Sequence, residues 1–194
     1  MKNNIENKKL KALLDTGRRL FWKYGFRRVT LDEICREAKV SKMTFYRWFT
    51  NKTELARAIY ENEVKHGIEK FNAIMEADIP AAERLKAIIK LKAEGTNDIS
   101  REFLMDFYNS DDDTIKSFVE EISARSWNEI ISGFRTAQEK GWFRNDFKPE
   151  LLLFITQHLV PMYTDEKLLK LYNTPQDLIL ELANFFTYGI SPHE

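Results

Sequence analysis

Two short helices separated by a break of only two residues are predicted near the start of the chain. Thr30 is a good N-cap for the first of them, and Glu33 three residues later completes a capping box. After the break at Lys39-Val40, Ser41 can cap a second helix over 41–47. The spacing therefore predicts a helix, a tight turn and a helix, which strongly restricts how this segment can fold.

A longer helix is predicted on each side of this pair. The preceding helix carries an apolar face at three-to-four spacing and ends at Gly25, a residue suited to the left-handed position after a helix. Thr53 is a plausible cap for the following helix, which continues to about Met75. The apolar face of the first helix comprises Leu10, Leu13, Leu14, Gly17, Leu20, Phe21 and Tyr24.

The rest of the chain is also predicted to be helical. Helices are expected near 80–94, 98–108, 113–140, 149–163 and 175–189, with a ragged segment at 164–174. Strand signals are essentially absent, and seven Gly and five Pro in 194 residues leave few tight turns. We expect an all-α fold of about nine helices, with a three-helix head (1–52) followed by an antiparallel helical bundle (53–194).

Charge is distributed unevenly along a chain whose formal net charge is zero. Residues 1–52 contain fourteen Lys or Arg and five Asp or Glu, which gives a net charge of +9. Residues 53–194 carry the compensating −9. A basic head on an acidic body is typical of a protein that contacts phosphates at one end only.

Several classes of protein are disfavoured by composition. Cys35 is the only cysteine, so no intrachain disulfide can form and a reducing compartment is expected. The N-terminus has no apolar segment of the kind found in signal peptides, and the apolar run at 151–155 is too short to cross a bilayer. We expect a cytoplasmic protein with no membrane partner.

The segment YGFRRVTLDEICREAKVSKMTFYRWFTNKTEL, residues 24–55, resembles the TetR family of transcriptional regulators. The Gly, Thr, Val-Ser, Thr-Phe-Tyr, Phe and Lys positions of the family signature are all in register. The resemblance implies a DNA-binding helix-turn-helix domain, a C-terminal domain that binds a small molecule, and a homodimer. It also favours repression of transcription.

The second helix of a helix-turn-helix lies in the major groove of DNA, with its N-terminal residues near the base edges. Lys42 can donate to guanine or phosphate, Thr44 can contact a base pair, and Met43 can contact a thymine methyl group. The resemblance assigns phosphate contacts to Tyr46 and Lys52. The predicted exposed residues of this helix are Ser41, Lys42, Met43, Thr44 and Arg47.

Three further residues are predicted near the DNA backbone. Thr30 stands at a helix N-terminus, which attracts phosphate, and Arg28 is expected close by. Lys39 occupies a turn position where the family usually has Gly, because the backbone there tends to adopt a positive φ. Its charge can add a phosphate contact.

The last two long helices are predicted to form the dimer interface. Each is apolar on more than one face, so one face can pack within the domain and another against a second copy. The alternative is a helix buried wholly within a monomer. In 149–163 the stripes are Leu151, Ile155, His158 and Met162, and Leu152 and Leu159; in 175–189 they are Leu178, Leu182 and Phe185, and Ile179 and Phe186.

An apolar or aromatic effector is expected because the body is rich in aromatic residues, although such residues more often form core than pocket. A structural role is the alternative for each polar candidate. The candidate pocket residues are His66, Phe103, Phe107, Arg125, Ser126, Trp127, Gln157 and His158. A DNA-binding adaptor controlled by a protein partner, with a sealed core in place of a cavity, is the other hypothesis.

An enzyme is disfavoured. Glu63 and His66 are spaced as half of a di-iron site, but that site needs a second Glu-x-x-His motif, and Ile155 and Ile190 stand three residues before the other histidines. Nucleophile motifs, phosphate-binding loops and zinc-ligand spacings are absent from the sequence. We therefore expect no cofactor, no metal site and no catalysis.

Overall fold

The computed structural model describes residues 2–108 and 113–190, and does not describe the side chains of residues 2–5, 156, 157 and 160. The described residues form ten α-helices and no β-strand. Their bounds are α1 (Lys2–Tyr24), α2 (Leu31–Glu37), α3 (Lys42–Phe45), α4 (Lys52–Glu76), α5 (Ala81–Gly95), α6 (Arg101–Tyr108), α7 (Asp113–Glu139), α8 (Pro149–Thr164), α9 (Glu166–Leu169) and α10 (Pro175–Gly189).

The prediction of an all-α fold is confirmed, and most predicted bounds lie within a few residues of those observed. The ragged segment contains the one-turn helix α9, whose N-cap Asp165 accepts hydrogen bonds from the backbone N–H groups of Lys167 and Leu168. The predicted cap of α4, Thr53, is wrong. Asn51 takes that role, since its Oδ1 accepts from the N–H of Glu54 at 2.9 Å. In the described ranges no helix is both long and apolar enough to cross a membrane.

The chain divides into two compact units that do not follow the predicted boundary at residue 52. The first unit comprises Met1–Asn62 and Asp98–Val119, and the second comprises Glu63–Asn97 and Glu120–Glu194. The first unit is thus larger than the predicted three-helix head, because it also holds the start of α4, all of α6 and the start of α7.

An aromatic cluster explains why α6 belongs to the first unit. The ring of Trp22 on α1 lies 4.2 Å from that of Phe103 on α6, and Phe103 stacks on Phe107 at 4.4 Å. The N–H of Ser100 donates to the carbonyl of Trp22 at 2.8 Å. Packed aromatic pairs stabilise by about 1 kcal/mol beyond the burial of their area, so α6 is held as part of this core.

The core of the second unit is built around Phe71, Leu85, Phe143 and Ile190, all buried. Arg84 is fully buried beside it and lies over the ring of Trp142, with 3.5 Å between the guanidinium carbon and the ring centroid. The guanidinium donates to the carbonyls of Ile74, Ala77 and Ile79. Ile74 lies in the last turn of α4, and Ala77 and Ile79 lie in the segment after it, so Arg84 bonds carbonyls at and beyond the end of the helix, where the helical hydrogen-bond pattern stops.

Candidate functional site

The two predicted N-caps of the helix-turn-helix are confirmed. The hydroxyl of Thr30 accepts from the N–H of Glu33 at 3.2 Å, and the hydroxyl of Ser41 accepts from the N–H of Thr44 at 3.2 Å. These two bonds fix where α2 and α3 begin. Since α3 extends only over Lys42–Phe45, the recognition helix is shorter than the predicted 41–47.

The turn between α2 and α3 depends on Lys39. Its φ is +55°, the left-handed conformation that this position was predicted to require. The next residue, Val40, is buried, and its N–H donates to the carbonyl of Cys35 at 2.9 Å. A side chain at positive φ costs about 1–2 kcal/mol. The fold accepts this strain, and the Lys39 ammonium is left on the exposed outside of the turn.

The outer face of α3 and the residues after it are exposed. Met43 is 72% exposed and Tyr46 is 56% exposed, and Lys42 and Arg47 also lie on the surface. Thr44 corrects the prediction of an exposed base-contacting residue, because it is only 8% exposed. Its hydroxyl lies 2.9 Å from that of Ser41. Thr44 therefore stabilises the start of α3 from inside.

Carboxylates hold two of the cations on this face. Lys42 Nζ lies 2.6 Å from Asp32 of α2, and this hydrogen-bonded contact raises the pKa of the lysine. Arg47 lies 3.5 Å from Glu6 of α1. All four side chains are about half exposed or more, and exposed pairs of this kind contribute at most about 1 kcal/mol. A phosphate or base edge can replace these carboxylates at little cost.

Lys52 has a structural role that the sequence did not indicate. Its Nζ donates to the carbonyls of Phe26 at 2.7 Å and Val29 at 2.8 Å, and lies 4.2 Å from the centroid of the Phe26 ring. Burial lowers its pKa. Lys52 thus joins the start of α4 to the loop between α1 and α2, and only one of its three N–H donors remains for a phosphate.

Two basic residues, Arg27 and Arg28, lie in the loop just before the helix-turn-helix. The guanidinium of Arg28 lies 5.2 Å from the centroid of the Tyr24 ring. Arg27 is held differently, since its N–H donates to Asp106 at 2.8 Å and its side chain lies 3.5 Å from the same carboxylate. Arg28 and Thr30 are both exposed, so each can contact DNA as predicted.

The second unit contains a cavity of about 350 Å³ among α4, α5, α7, α8 and α10. Most of the side chains that line it are aliphatic or aromatic. The lining residues are Phe71, Ile88, Lys92, Trp127, Ile130, Phe134, Leu152, Ile155, Leu159, Tyr163, Leu182, Ala183, Phe186, Thr187 and Ile190.

Of the predicted pocket residues, Trp127 is among those that line this cavity. His66, Arg125 and His158 are exposed, and the hydroxyl of Ser126 donates to the Ile122 carbonyl at 2.8 Å. His158 lies against the exposed Phe154 at 4.3 Å.

Two further candidates correct the prediction, because Phe103 and Phe107 are buried in the aromatic cluster of the first unit. The Gln157 side chain lies outside the described part of the chain. Lys92, Tyr163 and Thr187 bring polar atoms to the cavity wall and were not among the predicted pocket residues. Lys92 could have been found, since it continues the apolar stripe of Leu85 and Ile88 on α5.

The apolar stripes of α8 and α10 divide differently from the prediction. Leu152, Ile155 and Leu159 line the cavity, so Ile155 does not share the face of Leu151 and His158. The outward apolar side chains are instead Leu151 at 52% exposed, Phe154 at 59%, Phe185 at 74% and Tyr188 at 59%. One face of each of α8 and α10 thus lines the cavity of the second unit, and other positions on the two helices carry large exposed apolar side chains.

Known proteins share both the motif and the fold. The model of the family described as bacterial regulatory proteins, tetR family, matches residues 13–59. The HTH-type transcriptional regulator YhgD of Bacillus subtilis is 27% identical over 159 residues, which cover 78% of this chain and 79% of YhgD.

Two solved structures have a similar fold over nearly the whole chain. The reduced form of Escherichia coli NemR has a TM-score of 0.71 at 17% identity, covering 96% of this chain and 99% of NemR. The fatty acid degradation regulator FadR of Bacillus halodurans has a TM-score of 0.69 at 14% identity, covering 96% and 97%. At these identities the structural likeness concerns the fold.

Proposed function

We propose that this chain, whose residues 13–59 match the tetR family model, is a TetR-like cytoplasmic homodimeric repressor that a small molecule releases from its operator. The observation that carries the proposal is the outer face of α3. There Lys42, Met43, Tyr46 and Arg47 are all exposed beside a capped, rigid turn. An exposed basic and apolar helix surface of this kind fits the major groove of double-stranded DNA.

The residues of this surface divide into two proposed roles. Lys42 and Met43 stand at the start of α3 and would contact base edges, with Lys42 exchanging Asp32 for guanine. Arg28, Thr30, Lys39, Ser41, Tyr46, Arg47 and Lys52 would contact phosphates. Lys52 has one N–H left for this purpose, so we expect its variants to weaken binding partly through the loop that it holds.

A second copy of the chain is the proposed partner of α8 and α10. Leu151, Phe154, Phe185 and Tyr188 are large apolar residues exposed on these two helices. Large apolar groups left exposed to water commonly mark an interface. A two-fold dimer would present two copies of α3, so we expect a near-palindromic operator with half-sites about 34 Å apart or a multiple of that distance.

The cavity in the second unit supports a small-molecule effector. Its volume of about 350 Å³ is within the range of ligand sites, and its wall is mainly apolar with a few polar atoms, as such sites usually are. FadR, which has a similar fold, is a regulator of fatty acid degradation. A protein-controlled adaptor would be favoured by a sealed core, so this cavity favours the small-molecule hypothesis.

Helix α4 is the proposed route of regulation. It runs without interruption from Lys52, which holds the loop before α2, to Glu76, and Phe71 on the same helix lines the cavity. An effector can lower operator affinity only as far as it binds the DNA-incompetent conformation more tightly than the competent one. We expect the two ligands to weaken each other's binding by the same factor.

Selection of bound duplexes from a random DNA pool, at two salt concentrations, tests the proposal. We expect enrichment of a palindrome, with affinity falling as salt rises because phosphate contacts release counterions. The variant Met43→Glu should lose the enrichment, whereas Leu171→Glu, at an equally exposed site of the second unit, should retain it. Salt-dependent binding without any enriched sequence would contradict the proposal and favour a non-specific DNA anchor.

A further inference from the structure

Lys92 is a charged residue on the inward face of α5. Leu85 on that helix is buried, and Ile88 and Lys92 follow at spacings of three and four residues, which places all three on one face. Ile88 and Lys92 both line the cavity of the second unit. The lysine thus occupies a position where the helical pattern calls for an apolar residue.

The surroundings of Lys92 leave its charge uncompensated by the cavity wall. Among the described lining residues none is acidic, and the polar groups besides Lys92 include the hydroxyls of Tyr163 on α8 and Thr187 on α10. Burial lowers the pKa of Lys92 and raises the pKa of Tyr163. The accessible surface of the Lys92 side chain nevertheless makes it an exposed residue. The lowered pKa and the accessible surface of Lys92 are both explained if that surface faces the apolar cavity.

We propose that the cavity binds a lipophilic carboxylate, with the carboxylate paired to Lys92 Nζ and hydrogen-bonded by the Tyr163 hydroxyl. The hydrocarbon or aryl part of the ligand occupies the apolar remainder, against side chains such as Phe71, Trp127 and Phe134. The proposal rests on the proposed function, because it takes this cavity as the effector site and names the chemical class of effector.

Other ligand classes fit this wall less well. A cationic ligand would be repelled by Lys92. A neutral lipophile would leave a desolvated amine without a charged partner, which is unfavourable unless the lysine gives up its proton. A hydrophilic polyanion would have a single cation to pair with and would bury its remaining polar atoms against apolar side chains. One carboxylate on an apolar body matches both parts of the wall.

Isothermal titration calorimetry of the full-length protein, without DNA, tests the proposal. The probes are decanoate and decan-1-ol, which share a hydrocarbon chain and differ in charge. We expect wild-type protein to bind decanoate about ten- to a hundredfold more tightly than decan-1-ol, as expected for a desolvated charge-assisted hydrogen bond. This comparison needs no variant, so it does not depend on how any substitution folds.

Variants then assign the preference to named residues. We expect Lys92→Met to lose the preference for decanoate while keeping affinity for decan-1-ol, and Tyr163→Phe to lose part of it. The matched control is Lys86→Met, which removes a lysine of the same helix that is exposed like Lys92 but does not line the cavity, and which should bind both probes as wild type does. Circular dichroism confirms that each variant is folded.

Equal affinity of wild-type protein for the two probes, no binding of decanoate, or an unchanged preference in Lys92→Met would each overturn the proposal. Release of the selected operator by decanoate is measured separately. If decanoate binds through Lys92 and leaves operator affinity unchanged, the carboxylate site stands and the regulatory part of the proposed function fails. The two failures are therefore distinguishable.

Discussion

The first unit carries its candidate chemistry on its surface, whereas the second unit carries it in its interior. Around α3, exposed side chains project from helices that are fixed by capping hydrogen bonds and by a buried aromatic core. In the second unit, five helices leave a cavity of about 350 Å³ in the place where a tighter core could have formed. A surface that contacts DNA benefits from rigid packing beneath it, while an effector site needs space within the packing.

The largest expected effect of a substitution is at Phe103, which the sequence pattern predicts to be a pocket residue and which instead lies in the core of the first unit. We expect Phe103→Ala to lower the free energy of unfolding by about 3–5 kcal/mol, because it opens a cavity in a close-packed aromatic cluster. Urea denaturation at fixed protein concentration measures the loss.

The control for this variant is Leu171→Ala, at a side chain that is 75% exposed, where the expected change is below about 0.5 kcal/mol. A loss below 1 kcal/mol in Phe103→Ala would show that this side chain is not part of a packed core, and the contrast between the units would fail.

Two glycines that follow helices sharpen the comparison. Gly25 after α1 and Gly141 after α7 have φ values of +80° and +71°, so alanine is strained at both. At Gly25 an added Cβ would also lie 2.7 Å from Oδ2 of Asp106 and 2.9 Å from Cβ of Glu102, whereas at Gly141 it would meet open space.

We therefore expect Gly25→Ala to destabilise the protein by about 2–4 kcal/mol and Gly141→Ala by only about 1 kcal/mol. Thermal unfolding of both variants measures the difference. Equal losses would mean that α6 does not pack tightly against the end of α1.

Operator affinities of variants distinguish residues of the first unit that contact bases from residues that contact phosphates. We expect Lys42→Ala to weaken the selected operator by about tenfold or more and to relax preference at one base pair. Arg28→Ala should weaken all sequences to a similar degree and reduce the salt dependence by about one charge. Fluorescence anisotropy with matched and single-mismatch duplexes measures both effects.

The control for these two variants is Lys116→Ala, which removes an exposed lysine of α7 and should leave operator affinity unchanged. Uniform weakening by Lys42→Ala would assign that lysine to the DNA backbone.

The smallest expected effect is a gain in stability. Lys39→Gly removes the strain of a side chain at φ +55°, and we expect the melting temperature to rise by a few degrees for a gain of about 0.5–1 kcal/mol. The same variant should bind DNA slightly more weakly, because it removes a cation near the backbone. As a control, Ala38→Gly, at ordinary helical φ, should lower stability instead.

Much of the first unit could be predicted because its signals are local. The caps Thr30 and Ser41, the turn at Lys39 and the end of α1 at Gly25 each depend on residues within one helical turn. The inclusion of α6 could not be predicted in this way. It depends on contacts between Trp22 and Phe103, which are far apart in the sequence and are set by tertiary packing.

The cavity was harder to predict for the same physical reason. Aromatic residues at helical spacing look alike whether they fill a core, as Phe107 does, or line a cavity, as Phe134 does. The face of α8 that points inward is decided by the helices that pack against it. The sequence pattern placed Ile155 and His158 on one stripe, whereas in the structure Ile155 lines the cavity and His158 is exposed. The burial of Thr44 likewise depends on how α3 packs, which its residue type does not reveal.

The stoichiometry and affinity of the full-length protein on duplexes with one or two copies of the selected half-site test the central claim most directly. By analytical ultracentrifugation we expect two protomers on the two-site duplex, and binding to the one-site duplex that is at least about a hundredfold weaker. Phe185→Asp, which places a charge on the exposed face of α10, should abolish this difference. Saturation of the two-site duplex by a single protomer, or equal affinity for both duplexes, would contradict a dimeric operator-binding regulator.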